Sequence, residues 1–367
     1  MEIVNFAFFN LQFSMEQSDV ELSYLNARIR AWKGELLTRG TYGGLIAAED
    51  VQSLINCLKE TNYAKDIEIA AARYEDAREI VEGGLKGSLA KTFNELWKYA
   101  QPQTRVLLRA IFSLWEVYNL KAIVRARING IPPDDSISVL IPAGEMDESA
   151  LKELNQQKDV QEVIKLLHTW GSPYARPIKD VIEQYLRERQ LIIIELALDR
   201  FVHAYCLSLA AENSINGEII KRFIRDRIDS INISMLLKLS GENISPTNTV
   251  DYFLEGGERI GKDKFLKLAR SKNRRELLRD LAGSLKDKHW KELIGATEPE
   301  NAFFMEEQLE ELLSQQACRL AIIEPLSIAL ALCFIYKKIR EIKNLRLILR
   351  AKIFEIPAIE VKRFLIV

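Results

Sequence analysis

The fold is decided by a stretch that reads Asn119-Leu120-Lys121-Ala122-Ile123-Val124-Arg125. The pattern returns twice, as Asn232-Ile233-Ser234-Met235-Leu236-Leu237-Lys238 and as Asn344-Leu345-Arg346-Leu347-Ile348-Leu349-Arg350. The asparagines stand 113 and 112 residues apart, and each lies twelve residues before an isoleucine, namely Ile131, Ile244 and Ile356. A period of this length is the size of a small domain, because solenoid units span only about 20–50 residues. The sequence therefore predicts three related domains in one chain.

The repeated unit is predicted to be helical. Around the first asparagine, apolar residues follow the three-and-four spacing of one helix face: Val106, Leu107, Ala110, Ile111, Leu114, Val117 and Tyr118. The pattern stops at Asn129-Gly130, and two prolines follow at 132 and 133, which is a normal helix end. We therefore expect an all-α fold of three homologous helical domains with pseudo-threefold symmetry.

Glycine-containing loops predict the domain boundaries. Leu140-Ile141-Pro142-Ala143-Gly144-Glu145 corresponds to Phe253-Leu254-Glu255-Gly256-Gly257-Glu258 at the same 113-residue offset. We expect helical domains over residues 15–147, 148–260 and 261–367. Residues 1–14 are apolar and fit no helix period, and Met15 opens a polar stretch. We interpret residues 1–14 as an upstream translation start or a loose N-terminal arm, with a short packed segment as the alternative.

The overall charge gives no hint of a nucleic acid or an anionic membrane as partner. The chain has 51 basic and 52 acidic residues, a formal net charge of −1. The longest apolar run, from Ile322 to Tyr336, has fifteen residues and is interrupted by Glu324 and Pro325, whereas a membrane-spanning helix needs about 20. We therefore expect a soluble protein, any membrane contact of which is made through a partner.

No stretch of the sequence predicts catalysis. The residues Gly256-Gly257-Glu258-Arg259-Ile260-Gly261-Lys262-Asp263 satisfy the first part of a phosphate-loop pattern. The loop needs Ser or Thr where Asp263 stands, and the charge of this aspartate would repel phosphate. The three histidines lie far apart, without metal-ligand spacing. We predict no catalytic, cofactor-binding or metal site.

The basic residues are the stronger local signal. The position six residues after each repeat asparagine is basic in all three copies, as Arg125, Lys238 and Arg350. Around a pseudo-threefold axis these charges would form a triangle that suits an acidic or helix-C-terminal partner. With Lys121 and Arg346 on the same helices, they form the candidate partner-binding set. The alternative is a solvated face that serves solubility.

The repeat asparagines Asn119, Asn232 and Asn344 are predicted to be structural. Asparagine is a mediocre helix former, so three occurrences within helices imply a common purpose. A side-chain amide that bonds across a helix–helix contact is the expected role, and direct partner binding is the alternative.

Two stretches resemble the C subunits of archaeal and bacterial V/A-type ATPases. The first is Tyr24-Leu25-Asn26-Ala27-Arg28-Ile29-Arg30-Ala31-Trp32-Lys33. The second begins at Glu324-Pro325-Leu326 and continues through Lys338-Ile339-Arg340-Glu341-Ile342-Lys343 to Ile356-Pro357. The resemblance covers residues 15–367, is specific at both ends and diffuse in the middle, and does not account for the first fourteen residues.

The resemblance implies a non-catalytic rotor adapter, similar to the d subunits of eukaryotic vacuolar ATPases. Such subunits have three pseudo-equivalent helical domains around a central funnel. One face sits on the ring of membrane-embedded rotor subunits and the other receives the foot of the central shaft, so that torque passes between them. The resemblance therefore implies these two partners, no cofactor, and a cytoplasmic location peripheral to the membrane as part of the ATPase complex.

The basic last helix keeps an alternative function open. Its lysines and arginines could serve a helical scaffold or an RNA-binding protein. The neutral overall charge and the scarcity of aromatic residues beside these arginines argue against nucleic acid. An enzyme with a helical active site is the third class, and convergent carboxylates or a bound metal would be its signature.

Overall fold

The computed structural model describes residues 22–211, 214–240 and 249–365. Throughout this part of the chain the secondary structure is helical, apart from one isolated bridge between Ala143 and Met146. The prediction of an all-α fold is therefore confirmed. The predicted N-terminal arm, residues 1–14, lies outside the described residues, as does Ile244.

Eighteen helices are labelled here in chain order. They are α1 (residues 22–34), α2 (Arg39–Ala47), α3 (Val51–Lys59), α4 (Ala64–Ala71), α5 (Ala77–Tyr99), α6 (Pro102–Ile128), α7 (Pro133–Ser136), α8 (Glu148–Asn155), α9 (Val160–Thr169), α10 (Ala175–Glu188), α11 (Ile192–Leu209), α12 (Ile215–Leu239), α13 (Lys262–Leu268), α14 (Arg274–Ser284), α15 (Lys288–Ala296), α16 (Met305–Ile323), α17 (Ala329–Ile353) and α18 (Ala358–Phe364). Short 3-10 turns occupy Ile137–Val139, Val250–Tyr252 and Pro299–Phe304. No described helix is long and apolar enough to cross a membrane.

Polar side chains fix where several short helices begin. Asp50 accepts the amide of Ser53 at the start of α3, and Asn273 accepts the amide of Glu276 at the start of α14. These caps satisfy amide groups that the first helical turn leaves without a partner.

The chain divides into two compact units. The first comprises the described residues of Met1–Leu108, Tyr118–Val160 and Leu330–Val367, so it contains both the first and the last of the described residues. The second comprises Arg109–Val117 and Gln161–Ala329. The core of the second unit is built around the fully buried Trp290 and Phe265. The boundaries at 147/148 and 260/261 stay a prediction.

Three long helices carry the repeat asparagines: α6 with 27 residues, and α12 and α17 with 25 residues each. Two of them end in the same way. After α6, Gly130 has a φ of +65°, and the amide of Ile131 donates to the carbonyl of Ala126 at 2.9 Å. After α17, Glu355 has a φ of +54°, and the amide of Ile356 donates to the carbonyl of Ala351, also at 2.9 Å. Both ends are Schellman turns, which require a left-handed residue and favour glycine.

The turn after α17 carries measurable strain, because a glutamate occupies its left-handed position. Glu355→Gly is expected to stabilise the protein by about 1 kcal/mol, since glycine has no Cβ to clash there. Gly130→Ala should destabilise it by about the same amount. Urea unfolding followed by circular dichroism measures both effects.

Gly87→Ala is the matched control for the turn variants. Gly87 lies within α5, is exposed, and has open space where a Cβ would stand. Alanine should therefore stabilise the helix there, by up to about 1 kcal/mol. Equal effects of Gly87→Ala and Gly130→Ala would contradict the assignment of strain to the turn.

Candidate functional site

Two of the repeat asparagines clasp the backbone of a loop. The Asn119 side chain donates to the Ile141 carbonyl at 2.7 Å and accepts the Ile141 amide at 2.9 Å. Asn232 makes the same pair of bonds to Leu254, both at 2.9 Å. In each case the partner lies 22 residues further along the chain, in the loop after the helix. These two side chains therefore bond to a loop, and not across a helix–helix contact as the sequence predicted. One side-chain amide can make both bonds because it offers a donor and an acceptor.

The third asparagine, Asn344, is also buried. Its side chain forms a hydrogen bond with the Tyr42 hydroxyl of α2. Burial raises the pKa of Tyr42, and the bond to Asn344 opposes that rise. The residue 22 positions beyond Asn344 is Ile366, which lies outside the described residues.

A buried acid stands three residues before each asparagine: Glu116, Asp229 and Glu341. Sequence reasoning missed these residues, although their spacing places each on the same side of its helix as the asparagine. An ionised carboxylate in the interior must be paired or hydrogen-bonded. The groups that donate hydrogen bonds to these three acids therefore show which elements pack against the long helices.

Glu341 is met by three donors from within the first unit. Its carboxylate accepts the Tyr63 hydroxyl at 2.6 Å, the Lys338 ammonium at 2.9 Å and the backbone amide of Leu37. Lys338 also donates to the Tyr63 hydroxyl at 2.8 Å. Burial, followed by the nearby charge of Glu341, raises the pKa of Tyr63 well above its usual value.

Glu116 is met in the second unit by a tyrosine in the equivalent place. It accepts the Tyr174 hydroxyl at 2.6 Å, and both side chains are buried. Burial, and then the charge of Glu116, raise the pKa of Tyr174. Tyr174 is the N-cap residue of α10, just as Tyr63 is the N-cap residue of α4.

Asp229 is held by the glycine-containing loop that resembles a phosphate loop. The carboxylate accepts the backbone amides of Glu258, Arg259 and Ile260, at 3.1, 2.8 and 3.0 Å. A Cβ on Gly257 would collide with this carboxylate, so only glycine fits there. Consecutive amides that point at one anion form a nest. Within the described structure, the anion in this nest is a side chain of the protein itself.

Arg259 extends this cluster to a neighbouring helix. Its guanidinium pairs with Asp226 and Asp229 of α12 and, at 3.1 Å, with Asp287. Asp287 is the N-cap residue of α15, and the guanidinium also lies over the ring of Trp290. Burial raises the pKa of Asp226 against the opposing effect of Arg259.

The three acids therefore mark one recurring contact. The N-cap residue at the start of a short helix meets the buried acid of a long helix, directly in two cases and through Arg259 in the third. These contacts connect α6 to α10, α12 to α15, and α17 to α4. The last long helix thus holds one of the first short helices.

The candidate cations lie near the C-terminal ends of the long helices. Arg125, Lys238 and Arg350 are all exposed. Lys238 pairs with Glu306 at 3.3 Å. Lys121 and Arg346 are half-buried, and Arg346 pairs with Glu82 at 2.9 Å. The triangle of the three exposed cations stays a prediction.

Several basic residues of α17 bond within the protein. Lys338 is buried beside Glu341, and Lys352 donates to the backbone carbonyl of Ile46 at 2.6 Å. Lys337, Lys343 and Arg350 are exposed. The basic run is therefore partly structural, and only some of its charge faces solvent.

The described residues contain no group of three or more His, Cys, Asp or Glu side chains placed to hold a metal ion. The residues of the first anchor stretch form an aromatic stack within the first unit instead. The Arg28 guanidinium lies 3.7 Å from the ring centre of Tyr99 and 4.9 Å from that of Tyr24, and Trp32 stacks on Phe334 of α17. This stack fastens α1 to α5 and α17.

Comparison with known proteins gives consistent matches over most of the chain. A family model described as ATP synthase (C/AC39) subunit matches residues 25–364. The C subunit of the A-type ATP synthase of Methanothermobacter thermautotrophicus is 26% identical over 333 residues, which cover 90% of this chain and 83% of the relative. Its counterpart from Methanococcoides burtonii is 27% identical over 94% of both chains. The counterpart from Pyrococcus abyssi is 28% identical, covering 91% of this chain and 86% of the relative.

Loss of an asparagine clasp should destabilise the protein. Asn119→Ala leaves the buried amide and carbonyl of Ile141 without partners and is expected to cost about 2 kcal/mol. Asn129→Ala is the matched control, because Asn129 is exposed and its side-chain amide donates to the Arg125 carbonyl of the same helix. Urea midpoints compare the two variants, and equal losses would contradict a structural role for the clasp.

The tyrosine that meets Glu116 should make stability depend on alkaline pH. Tyr174→Phe removes the donor to a buried carboxylate and should cost about 1–3 kcal/mol at neutral pH. Because the folded-state pKa of Tyr174 is raised above the ordinary 10.0, its contribution is fully present below pH 10.0 and is lost as the pH rises further. The stability gap between wild type and variant should therefore narrow above that pH.

Urea titrations on either side of pH 10.0 measure this gap, with Tyr74→Phe as a control at an exposed tyrosine. A gap for Tyr174→Phe that stays constant through this range would count against the buried tyrosine–carboxylate bond.

Proposed function

Because the chain belongs to the ATP synthase (C/AC39) subunit family, we propose that it is the non-catalytic adapter that joins the central shaft of a V/A-type rotary ATPase to the membrane rotor ring. As a member of this family, the chain is a subunit of a rotary ATPase. The observation that supports this proposal is the family match, which spans residues 25–364 and therefore includes all three repeat asparagines. In this role the protein passes torque from shaft to ring during ion pumping, or from ring to shaft during ATP synthesis.

The proposed architecture is three homologous helical domains, over residues 15–147, 148–260 and 261–367, around a central funnel. The recurring contact between a buried acid and the start of a short helix supports this arrangement. Because α17 bonds to the start of α4, the long helix of the third proposed domain contacts a short helix of the first. In a pseudo-threefold arrangement the first domain contacts the second, the second contacts the third, and the third contacts the first. The three contacts fit this order.

A torque coupler must not slip, so its long helices have to be fixed to the parts that meet its partners. Buried, fully bonded carboxylates suit this task because they hold two elements in one geometry. Close-packed interiors also transmit strain with little compression. The clasped loops and capped short helices described above support a stiff adapter.

The proposed partners are the shaft subunits and the ring subunits of the same ATPase, with membrane contact only through the ring. The adapter would then lie on the cytoplasmic side, peripheral to the membrane. Arg125, Lys238 and Arg350 supply exposed positive charge for an acidic partner, with Lys121 and Arg346 beside them on the same helices. The alternative of RNA binding by α17 is less well supported, because Lys338, Arg346 and Lys352 bond within the chain.

The test is binding of the purified full chain to the shaft subunits and, separately, to the detergent-solubilised rotor ring. We expect it to bind both, and the contact with the acidic partner to weaken with salt because exposed charges are screened. The Arg125→Ala/Lys238→Ala/Arg350→Ala variant should lose one partner selectively, by about tenfold or more in affinity.

A matched control is Arg73→Ala/Lys158→Ala/Lys291→Ala, which removes three exposed cations outside the long helices. It should bind both partners as the wild type does. A wild-type chain that binds neither partner at low salt would refute the adapter role.

A further inference from the structure

A cavity in the first unit contains a buried acid that takes no part in the contacts described above. The cavity has a volume of about 60 Å³, and Lys338 forms part of its wall. Asp66, the third residue of α4, also lines it and is only 9% exposed. Among the described residues, none donates a side-chain hydrogen bond to its carboxylate or forms an ion pair with it. Asp66 therefore lacks the partner that a buried carboxylate needs.

This acid stands where the other two repeats have apolar residues. Asp66 lies three residues after Tyr63, the N-cap residue of α4. The corresponding positions after the N-cap residues of α10 and α15 are Pro177 and Trp290, which are both buried. The packing of a short helix on the core therefore does not require a carboxylate at this position.

The start of α4 does not compensate for the burial of Asp66. A helix N-terminus favours a negative charge in its first turn, but an acid that faces solvent obtains the same benefit. The benefit is smaller than the free energy needed to remove an unpaired carboxylate from water. A cation that enters the cavity would supply the missing interaction.

The wall of the cavity offers groups that hold an organic cation. The indole of Trp32 lines it and stacks on the ring of Phe334, with 6.0 Å between the ring centres. An indole attracts cations more strongly than the other aromatic side chains do. Ser88 and Thr92 also line the cavity, and their hydroxyl oxygens can accept hydrogen bonds from an ammonium group.

The charges around the cavity leave one negative charge in excess. Three acids and two bases line the wall, namely Glu35, Asp66, Glu95, Lys91 and Lys338. Behind the wall, Glu341 accepts a hydrogen bond from Lys338, and Arg28 lies near Glu95. Together these groups are four acids and three bases. The excess of one acid agrees with the single carboxylate that has no partner, so we expect a ligand with one positive charge.

An organic cation fits this cavity better than a metal ion does. Nowhere in the described part of the chain do three or more His, Cys, Asp or Glu side chains come together to hold a metal. A protonated amine needs no such shell, because its N–H groups can donate to carboxylate and hydroxyl oxygens in different directions. Aliphatic amines are protonated at neutral pH, as the side chain of lysine is.

We propose that this cavity binds a small aliphatic ammonium ion, which pairs with the Asp66 carboxylate and lies against Trp32. The site lies within the first unit and does not depend on the adapter role. Its volume is sufficient for several water molecules, and so for an ammonium group with a short alkyl chain. The exposed residues of the wall, Glu35, Asn62 and Lys91, are polar, which favours a free small molecule over a protein partner.

Isothermal titration calorimetry of the full chain with n-propylammonium chloride tests the proposal, with sodium chloride at the same concentration as the reference. We expect saturable binding of the amine and none of sodium. Asp66→Asn should weaken binding about tenfold or more, because the amide carries no charge to pair with the ammonium. The neutral alcohol 1-propanol, which has the same size, should not bind measurably.

Glu68→Gln is the matched control, because Glu68 is an exposed acid two residues further along α4. It should bind the amine as the wild type does. Asp66→Asn is nearly isosteric and should unfold at the urea concentration that unfolds the wild type. If this variant does not fold, the comparison of n-propylammonium with 1-propanol on the wild type still tests whether the cavity selects a positive charge.

Three results would overturn the proposal. Equal affinity for 1-propanol and n-propylammonium would show an apolar cavity without selectivity for charge. Unchanged amine binding by a folded Asp66→Asn variant would place the amine elsewhere. If the wild type does not bind the amine, the cavity is not an amine site. Loss of a protein partner by Asp66→Asn in that case would assign the carboxylate to a lysine of the partner.

Discussion

A carboxylate buried in the middle of each long helix is the constraint on which the rest of the structure depends. Transfer of an ionised carboxylate from water to a protein interior costs several kcal/mol unless donors replace the lost hydration. Another element must therefore bring donors to the long helix at the position of its buried acid, which is Glu116, Asp229 or Glu341. For Glu116 and Glu341 the element that approaches is the start of a short helix. For Asp229 it is the glycine-containing loop, whose Arg259 in turn pairs with Asp287 at the start of α15.

The three carboxylates satisfy the same requirement with different donors. Glu116 takes a tyrosine hydroxyl, Glu341 takes a tyrosine, a lysine and a backbone amide, and Asp229 takes three backbone amides and an arginine. The buried acid thus recurs three residues before each asparagine, whereas the groups that donate to it differ between the repeats.

The sequence predicted the elements better than their partners. Helical spacing and helix-ending glycine and proline residues were sufficient for the all-α fold, and the two anchor stretches were sufficient for the family, which the match over residues 25–364 confirms. The buried acids were missed because an acid on a helix is usually exposed, and nothing local identifies its donor. Tyr174 lies 58 residues from Glu116, and Tyr63 lies 278 residues from Glu341. The glycine loop could be excluded as a phosphate site, but its true occupant, Asp229, was evident only from the fold.

The contact between Tyr63 and Glu341 has a consequence for synthesis of the protein. The short helix that begins after Tyr63 leaves the ribosome early, yet the long helix that buries Tyr63 is among the last parts to emerge. Contacts between such distant residues form late, because a long loop must close before they are made. The second unit, which ends at Ala329, can fold while the ribosome is still adding α17. We therefore expect the second unit to fold before the contact between Tyr63 and Glu341 is made in the first unit.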